Sequence, residues 1–372
     1  MPVGEDGANL FLKRSADGGK IWSKPVQVSK SGQVLAFEAS PQQMAIGPNG
    51  EVYVVWANNY TENNPYQYGK GVVMFARSTD RGKTFDLPVS VGPDVNDTET
   101  SRNFQNIAVA PDGTIYVSVL HSENAKVDDR GRSVRVISSE DGGQTWSTGS
   151  LVSKGTCPCC RTSLAASTDG NVYVGWRQID SSGDTTIRDT VVAQSSDGGK
   201  TWTQPVEYYD DQWKINGCPH AGPSLTLDGR GRLHATWFTG AEGRLGIYHA
   251  ISTDNGQSWS EPTPVFTPSY TPVTEPEMLV DAKGNAWIAF NDLRTPNGEK
   301  ENGHSGGQHG GHGSHAGPAK VKIVEITADG ETLTFPDLDI NGRGADFAEL
   351  ENSIALVWQA QTGGIYFSTF QE

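Results

Sequence analysis

All four cysteines of this 372-residue chain fall in two copies of one phrase. Residues 155–164 read GTCPCCRTSL and residues 216–225 read NGCPHAGPSL. Cys157 therefore aligns with Cys218, Pro158 with Pro219, and Cys159 with His220. Thiolate and imidazole are donors for soft and borderline metals, so Cys157, Cys159, Cys160, Cys218 and His220 would make a copper(I)- or zinc-like ligand set. The even cysteine count allows one or two disulfides instead, for example Cys157–Cys218. A third reading is a dithiol that switches between oxidation states. The spacing matches no standard zinc finger, and the three readings stay open. Each proline withholds a backbone N–H, so each phrase should be a stiff lip ahead of a strand.

A second donor collection lies in ENGHSGGQHGGHGSHAG, residues 301–317. His304, His309, His312 and His315 make up half of the eight histidines in the chain. A His/Gly tract of this kind suits loose, accessory binding of transition metals, or is an insertion whose histidines are incidental. His121, His234 and His249 sit in or beside strand-like runs and read as packing residues.

The elements that must position these groups come from a repeat. Ser-x-Asp-x-Gly-x-x-Trp/Phe occurs five times, from Ser15, Ser78, Ser139, Ser195 and Ser252, and a worn copy starts at Thr327. Each box lies between two short apolar runs and reads as strand, turn, strand. The Ser and Asp side chains can bond turn N–H groups, Gly supplies positive φ, and the aromatic residue plugs the turn into the core. Upstream of each box, a Gly-containing turn joins two more runs, as in QQMAIGPNGEVYVVW. Four strands per unit at a regular period predict an all-β chain: a β-propeller of four-stranded antiparallel blades. The expected blades are 37–92, 101–153, 157–208, 218–267 and 273–338, with partial ones at 1–30 and 345–372. These make a single propeller domain over 1–372, with 301–317 as a loop insertion. Seven blades, the first incomplete at the N-terminus, is the preferred count, with six the alternative. On the seven-blade reading, Met1 is an internal start or a truncation.

The boxes resemble the Asp-box, or BNR, repeat of the sialidase superfamily, and the chain is similar to bacterial sialidase-like proteins over nearly its whole length. The resemblance implies a propeller with ligands at the mouth of the central channel and with the boxes on the periphery. It also implies that the two cysteine phrases lead into innermost strands of consecutive blades, beside one another. Sialidase chemistry calls for three arginines on a carboxylate, a Tyr–Glu nucleophile pair and an acid. Arginine serves because its planar fork matches a carboxylate. Arg102, Arg161 and Glu275 are the channel-mouth candidates, with Glu38, Glu277, Arg177 and Arg294 nearby in the repeat pattern. Tyr366 belongs to a third strand, away from the channel. The Arg-Ile-Pro segment that opens the first sialidase blade is not found, and no catalytic residue carries over.

Two functions follow as expectations. One is a propeller that is not a competent sialidase and carries a Cys/His soft-metal or redox site with copper or zinc. The other is an exo-sialidase, a related glycoside hydrolase, or a glycan-binding propeller. The partner is a small molecule, a glycan or a metal. The formal charge of −15 argues against nucleic acid and anionic membrane. No apolar run reaches the length of a membrane-spanning helix. The first residues show neither a basic nor an apolar signal region. An extracytoplasmic location, periplasmic or secreted, suits the cysteines.

Overall fold

The computed structural model describes residues 8–30, 34, 40–59, 71–92, 100–122, 132–181, 185–270, 275–292, 319–335 and 340–371. Regular structure among them is entirely β. Two compact units are present: residues 1–178 with 191–206, and residues 179–190 with 207–372.

In the first unit a two-stranded pair, β1 (Phe11–Leu12) and β2 (Val26–Gln27), precedes antiparallel sheets in simple meander order. One contains β3 (Gln43–Ile46), β4 (Val52–Asn59), β5 (Gly71–Ser78) and β6 (Val89–Ser90). The next contains β7 (Ser101–Val109), β8 (Ile115–Ser122), β9 (Ser133–Ser139) and β10 (Ser150–Lys154). A third contains β11 (Ser163–Ala166), β12 (Val172–Arg177), β13 (Thr190–Ser195) and β14 (Val206–Glu207). Second strands are buried along their whole length, as in VYVGWR of β12. A strand covered on both faces reads as a continuous apolar run. Fourth strands are short and half exposed. One core packs Tyr53, Val55 and Phe75 against Ile107, Val117 and Ile137, thereby joining the first two of these sheets.

The second unit repeats the plan with β15 (Ser224–Leu227), β16 (Leu233–Thr239), β17 (Gly246–Ser252) and β18 (Thr263–Phe266). A larger sheet follows: β19 (Glu277–Val280), β20 (Ala286–Asp292), β21 (Lys320–Ile326), β22 (Thr332–Thr334), β23 (Ile340–Leu350), β24 (Ser353–Ala360) and β25 (Ile365–Gln371). There β21 pairs with both β22 and β23. Trp213, Phe238, Ile247, Ile288 and Phe290 form one core of this unit, and Trp287, Ile323, Ile354 and Leu356 another.

The Asp boxes behave as their residue types require. In the box at 139–146 the Ser139 hydroxyl donates to Asp141 Oδ1 (2.8 Å) and accepts the Gly143 N–H (2.8 Å). Asp141 Oδ1 also accepts the N–H groups of Gln144 and Thr145, each at 2.9 Å. Gly143 has φ +85°, and a Cβ there would lie 2.2 Å from Phe75 Cε1, so the residue must be glycine for two reasons. The aromatic position plugs unevenly. Trp146 packs edge-on to Phe75, whereas Trp22 is 41% exposed and bonds the Gly19 carbonyl instead. The worn copy at Thr327 keeps only a Thr-capped turn, with Glu331 N–H on Thr327 Oγ1 (3.0 Å).

Candidate cysteine centre

The first cysteine phrase is fixed by its neighbours before any sulfur is considered. The N–H groups of Gly155 and Thr156 both donate to the Arg132 carbonyl (3.0 and 3.2 Å), and the Cys157 N–H donates to that of Arg177 (2.9 Å). Gln178 Nε2 donates to the carbonyls of Lys154 and Gly155, both at 2.9 Å. Its Oε1 accepts the Trp176 indole N–H (2.7 Å). The chain then turns over residues 158–160 and enters β11 at Ser163. The segment ahead of Pro158 is thus bridged, Thr156 to Gln178, and is not the non-pairing lip expected; residues 157–162 alone stand outside a ladder.

The turn packs three sulfurs together. Cys160 Sγ–H donates to Cys157 Sγ at 3.3 Å, and Cys157 Sγ is 3.8 Å from that of Cys159. All three lie within 4.8 Å of one another and all three residues are buried. Cys157 and Cys160 carry thiols, while Cys159 and Cys218 are disulfide-bonded. The pairing Cys157–Cys218 expected as an example is therefore not the one formed. The 158–160 turn folds Cys160 back onto Cys157, which leaves Cys159 as the cysteine of this phrase that takes the disulfide.

In the second phrase Cys218 and His220 are half-buried. His220 has φ +52°, a left-handed conformation that His adopts more readily than most residues. The repeat alignment that sets Cys157 on Cys218 sets Phe104 on His220, and Phe104 has φ +53°. For a bulky residue this is a true outlier, kept only where surroundings over-determine it. Phe104 is 2% exposed, its N–H donates to Ser40 Oγ (3.0 Å), and its carbonyl accepts the Thr162 hydroxyl (3.2 Å). Sequence reasoning missed Phe104. The alignment of RNF with CPH was the available signal.

Arg102 and Arg161 are both buried. Arg102 donates from Nη1 to the Val91 carbonyl (3.1 Å) and from Nε to His121 Nδ1 (3.4 Å), so its guanidinium ties the start of β7 to the end of β6. His121 is thereby a hydrogen-bond acceptor as well as a packing residue. Arg177 and Arg132 are buried too, and Arg132 Nη1 donates to Asn103 Oδ1 (2.6 Å). In the second unit Glu275 Oε1 accepts the Gly222 N–H (3.4 Å), and Glu277 begins β19. Tyr366 is half exposed in β25 and stacks on Trp358. Glu38, Arg294, His304, His309, His312 and His315 lie outside the described residues.

Buried in the same unit, His234 Nδ1 meets His249 Nε2 at 3.1 Å, and His234 Nε2 lies 3.6 Å from Asp228 Oδ2. Burial pushes His234 down to about 4 against the pull of Asp228. Burial and the neighbouring His234 push His249 to about 3. Both are neutral packing groups near neutral pH.

Residues 5–216 match the BNR repeat-like domain family, and residues 250–261 match the BNR/Asp-box repeat. The chain belongs to the BNR repeat-like domain family. A sialidase of Bacteroides fragilis (strain YCH46) is 24% identical to this BNR-repeat protein over 219 residues, 54% of the chain and 38% of the relative. The chain thus spans about two fifths of the length of that relative. Among solved structures, a Hadza microbial sialidase, Hz136, is similar with a TM-score of 0.56 at 14% identity, over 89% of this chain and 65% of that one. A protein of unknown function from Dyadobacter fermentans DSM 18053 also gives 0.56, at 12% identity over 88% and 92% of the two chains. The BNR-repeat protein has an all-β propeller fold, similar to that of the Hz136 sialidase.

Proposed function

We propose that this BNR-repeat propeller is a non-hydrolytic protein whose working group is the cysteine centre: a thiol–disulfide site that, when reduced, holds a soft metal ion. One observation carries the reading. Three buried sulfurs lie within 4.8 Å of one another, and one of them is oxidised while two are thiols. A scaffold disulfide needs no thiols beside it. In the oxidised state Cys159 has no thiolate to give, so metal binding and disulfide formation compete for the same sulfur. Reduction by a dithiol would release Cys157, Cys159, Cys160 and Cys218, with His220 as the nitrogen donor, a set suited to copper(I) or zinc. The disulfide fits an oxidising, extracytoplasmic compartment.

The test is metal content as a function of redox state. Protein purified without reductant should show two thiols on denaturation and no retained metal. Anaerobic reduction followed by desalting from excess zinc or copper(I) should leave about one equivalent bound. The Cys159→Ser, His220→Ala double variant should lose that metal with little change in melting temperature. Reduced wild-type protein that keeps no metal would end the reading.

A second reading, hydrolysis or binding of an acidic glycan, draws support from the similarity to a sialidase and from the buried Arg161, next in chain to the centre. Turnover of a fluorogenic sialoside, abolished by Arg161→Ala, would establish it.

A further inference from the structure

Cys157, Cys159 and Cys160 all belong to one turn of the first unit. Cys157 Sγ lies 3.3 Å from Cys160 Sγ and 3.8 Å from Cys159 Sγ, and the remaining pair is within 4.8 Å. Sulfurs bonded to one ion at about 2.3 Å stand about 3.8–4.0 Å apart, so the triangle is already near the size of a metal-bound one. Backbone bonds within the same unit set the turn: Cys157 N–H on the Arg177 carbonyl (2.9 Å) and Thr156 N–H on that of Arg132 (3.2 Å). Each of the three cysteines is 1% exposed or less, so little water reaches the triangle.

We infer that, once Cys159 is reduced, these three sulfurs alone hold the metal, as a three-coordinate copper(I) site. Copper(I) is soft and binds a small set of thiolates without a further donor. Zinc in structural sites takes four ligands, and the turn supplies one fewer. The three thiols lose their protons as the ion binds, so uptake is pH-dependent. Three thiolates around one copper(I) leave the group doubly negative. The residues that flank it carry buried positive charge. Arg161 follows Cys160 directly, Arg132 and Arg177 provide the carbonyls that hold the turn, and all three arginines are buried.

With Cys159 in a disulfide, Cys157 and Cys160 remain as thiols and the triangle lacks a corner. Oxidation of that one sulfur therefore closes the site, and reduction opens it. This rests on the soft-metal reading above and narrows it: the ion is copper(I), and neither Cys218 nor His220 is among its ligands.

The experiment uses the full chain, reduced anaerobically with a water-soluble phosphine, desalted, and loaded with copper(I) from its acetonitrile complex. Copper-edge X-ray absorption of the wild-type protein should count three sulfur neighbours and no imidazole. The Cys218→Ser, His220→Ala double variant should keep about one equivalent of copper(I) through desalting, as the wild type does. Cys157→Ser, Cys159→Ser and Cys160→Ser should each weaken copper(I) binding by more than about tenfold in competition with a copper(I) chelator. Should a variant not fold, the wild-type absorption decides by itself. An imidazole in the shell, a serine variant that binds as the wild type does, or loss of copper(I) by the folded double variant would overturn the inference. The metal reading would stand in each of those cases, and also if reduced wild type keeps zinc but no copper(I), which equally overturns the inference. If it keeps neither metal, both fall.

Discussion

The hydroxyl of Thr162 donates to the carbonyl of Phe104 at 3.2 Å, and Phe104 sends its own N–H to Ser40 Oγ at 3.0 Å. Ser40 and Thr162 lead into the first strands of their repeats, and Phe104 lies within the first strand of the repeat between them. Gln105 Nε2 on the Pro41 carbonyl (2.8 Å) and Leu164 N–H on Asn106 Oδ1 (3.2 Å) run beside them. Neighbouring sheets of the first unit are thus joined at their inner ends by side-chain hydrogen bonds, where no strand ladder can reach. The cysteine phrase inherits its position from this relay, since Thr162 follows Cys160 by two residues.

Thr162→Val tests the relay with its shape kept. The hydroxyl also lies 2.7 Å from that of Ser118, and both residues are buried. Valine strips one partner from Ser118 and one from the Phe104 carbonyl, a loss expected to cost about 1–3 kcal/mol. Urea denaturation should show it as a lower midpoint with the slope unchanged. An unaltered midpoint would mean that the relay is incidental.

The Asp boxes should make stability depend on acid. In Asp141 the hydroxyl and N–H of Thr145 and the hydroxyl of Ser139 hold the carboxyl well below the usual range, and Asp80 and Asp197 are held the same way. A carboxyl lowered in the folded state contributes fully above its unfolded value, near about 4, and loses that contribution as the pH falls further. Asp141→Asn should therefore lower the melting temperature at neutral pH, with the gap to wild type closing as the pH is taken below about 4. A gap independent of pH would argue against the carboxylate as the source.

The buried histidine pair acts higher on the pH scale. His234 and His249 sit at about 4 and about 3, below the ordinary 6.5, so the unfolded chain binds protons first. Their contribution is whole above about 6.5 and declines as the pH drops from there toward about 3. His249→Gln should flatten the fall in stability between about pH 6.5 and 4.5. An unchanged slope in chemical denaturation across that window would show that other groups set it.

The architecture was legible because it is periodic. Ser-x-Asp-x-Gly-x-x-Trp/Phe fixes a turn by hydrogen bonds local in sequence, so five copies predict five turns without any tertiary information. The placing of Cys157, Cys159 and Cys160 together is local too, since one turn suffices. What the sequence could not tell was which cysteine takes the disulfide. The turn is oriented by groups distant in sequence, the carbonyl of Arg132 just ahead of β9 and that of Arg177 at the end of β12. Arg102 shows the same limit. Its position ahead of a first strand suggested a ligand-facing guanidinium, but whether a fork reaches solvent or the Val91 carbonyl is settled by packing. The left-handed Phe104 carries no local sign of positive φ, and only its alignment with His220 pointed to it.

Second-strand tryptophans give a ranked prediction. Trp56, Trp176 and Trp237 are all fully buried, and each donates its indole N–H: to Asn58 Oδ1 (3.0 Å), Gln178 Oε1 (2.7 Å) and Asp211 Oδ2 (2.8 Å). The first two acceptors are neutral amides two residues along the chain. Asp211 is a buried carboxylate shared with Arg244 at 3.0 Å. Tryptophan to phenylalanine keeps an aromatic ring and removes the donor. The cost should be about 0.5–1.5 kcal/mol where the acceptor is an amide and about 1.5–3 kcal/mol where it is charged. Trp237→Phe should therefore lower stability most, and Trp237→Ala by about 3–5 kcal/mol, since it also empties the core. If Trp56→Phe and Trp237→Phe prove equal in calorimetry, ring volume dominates at these positions, and the Asp211 hydrogen bond contributes no more than its neutral counterparts.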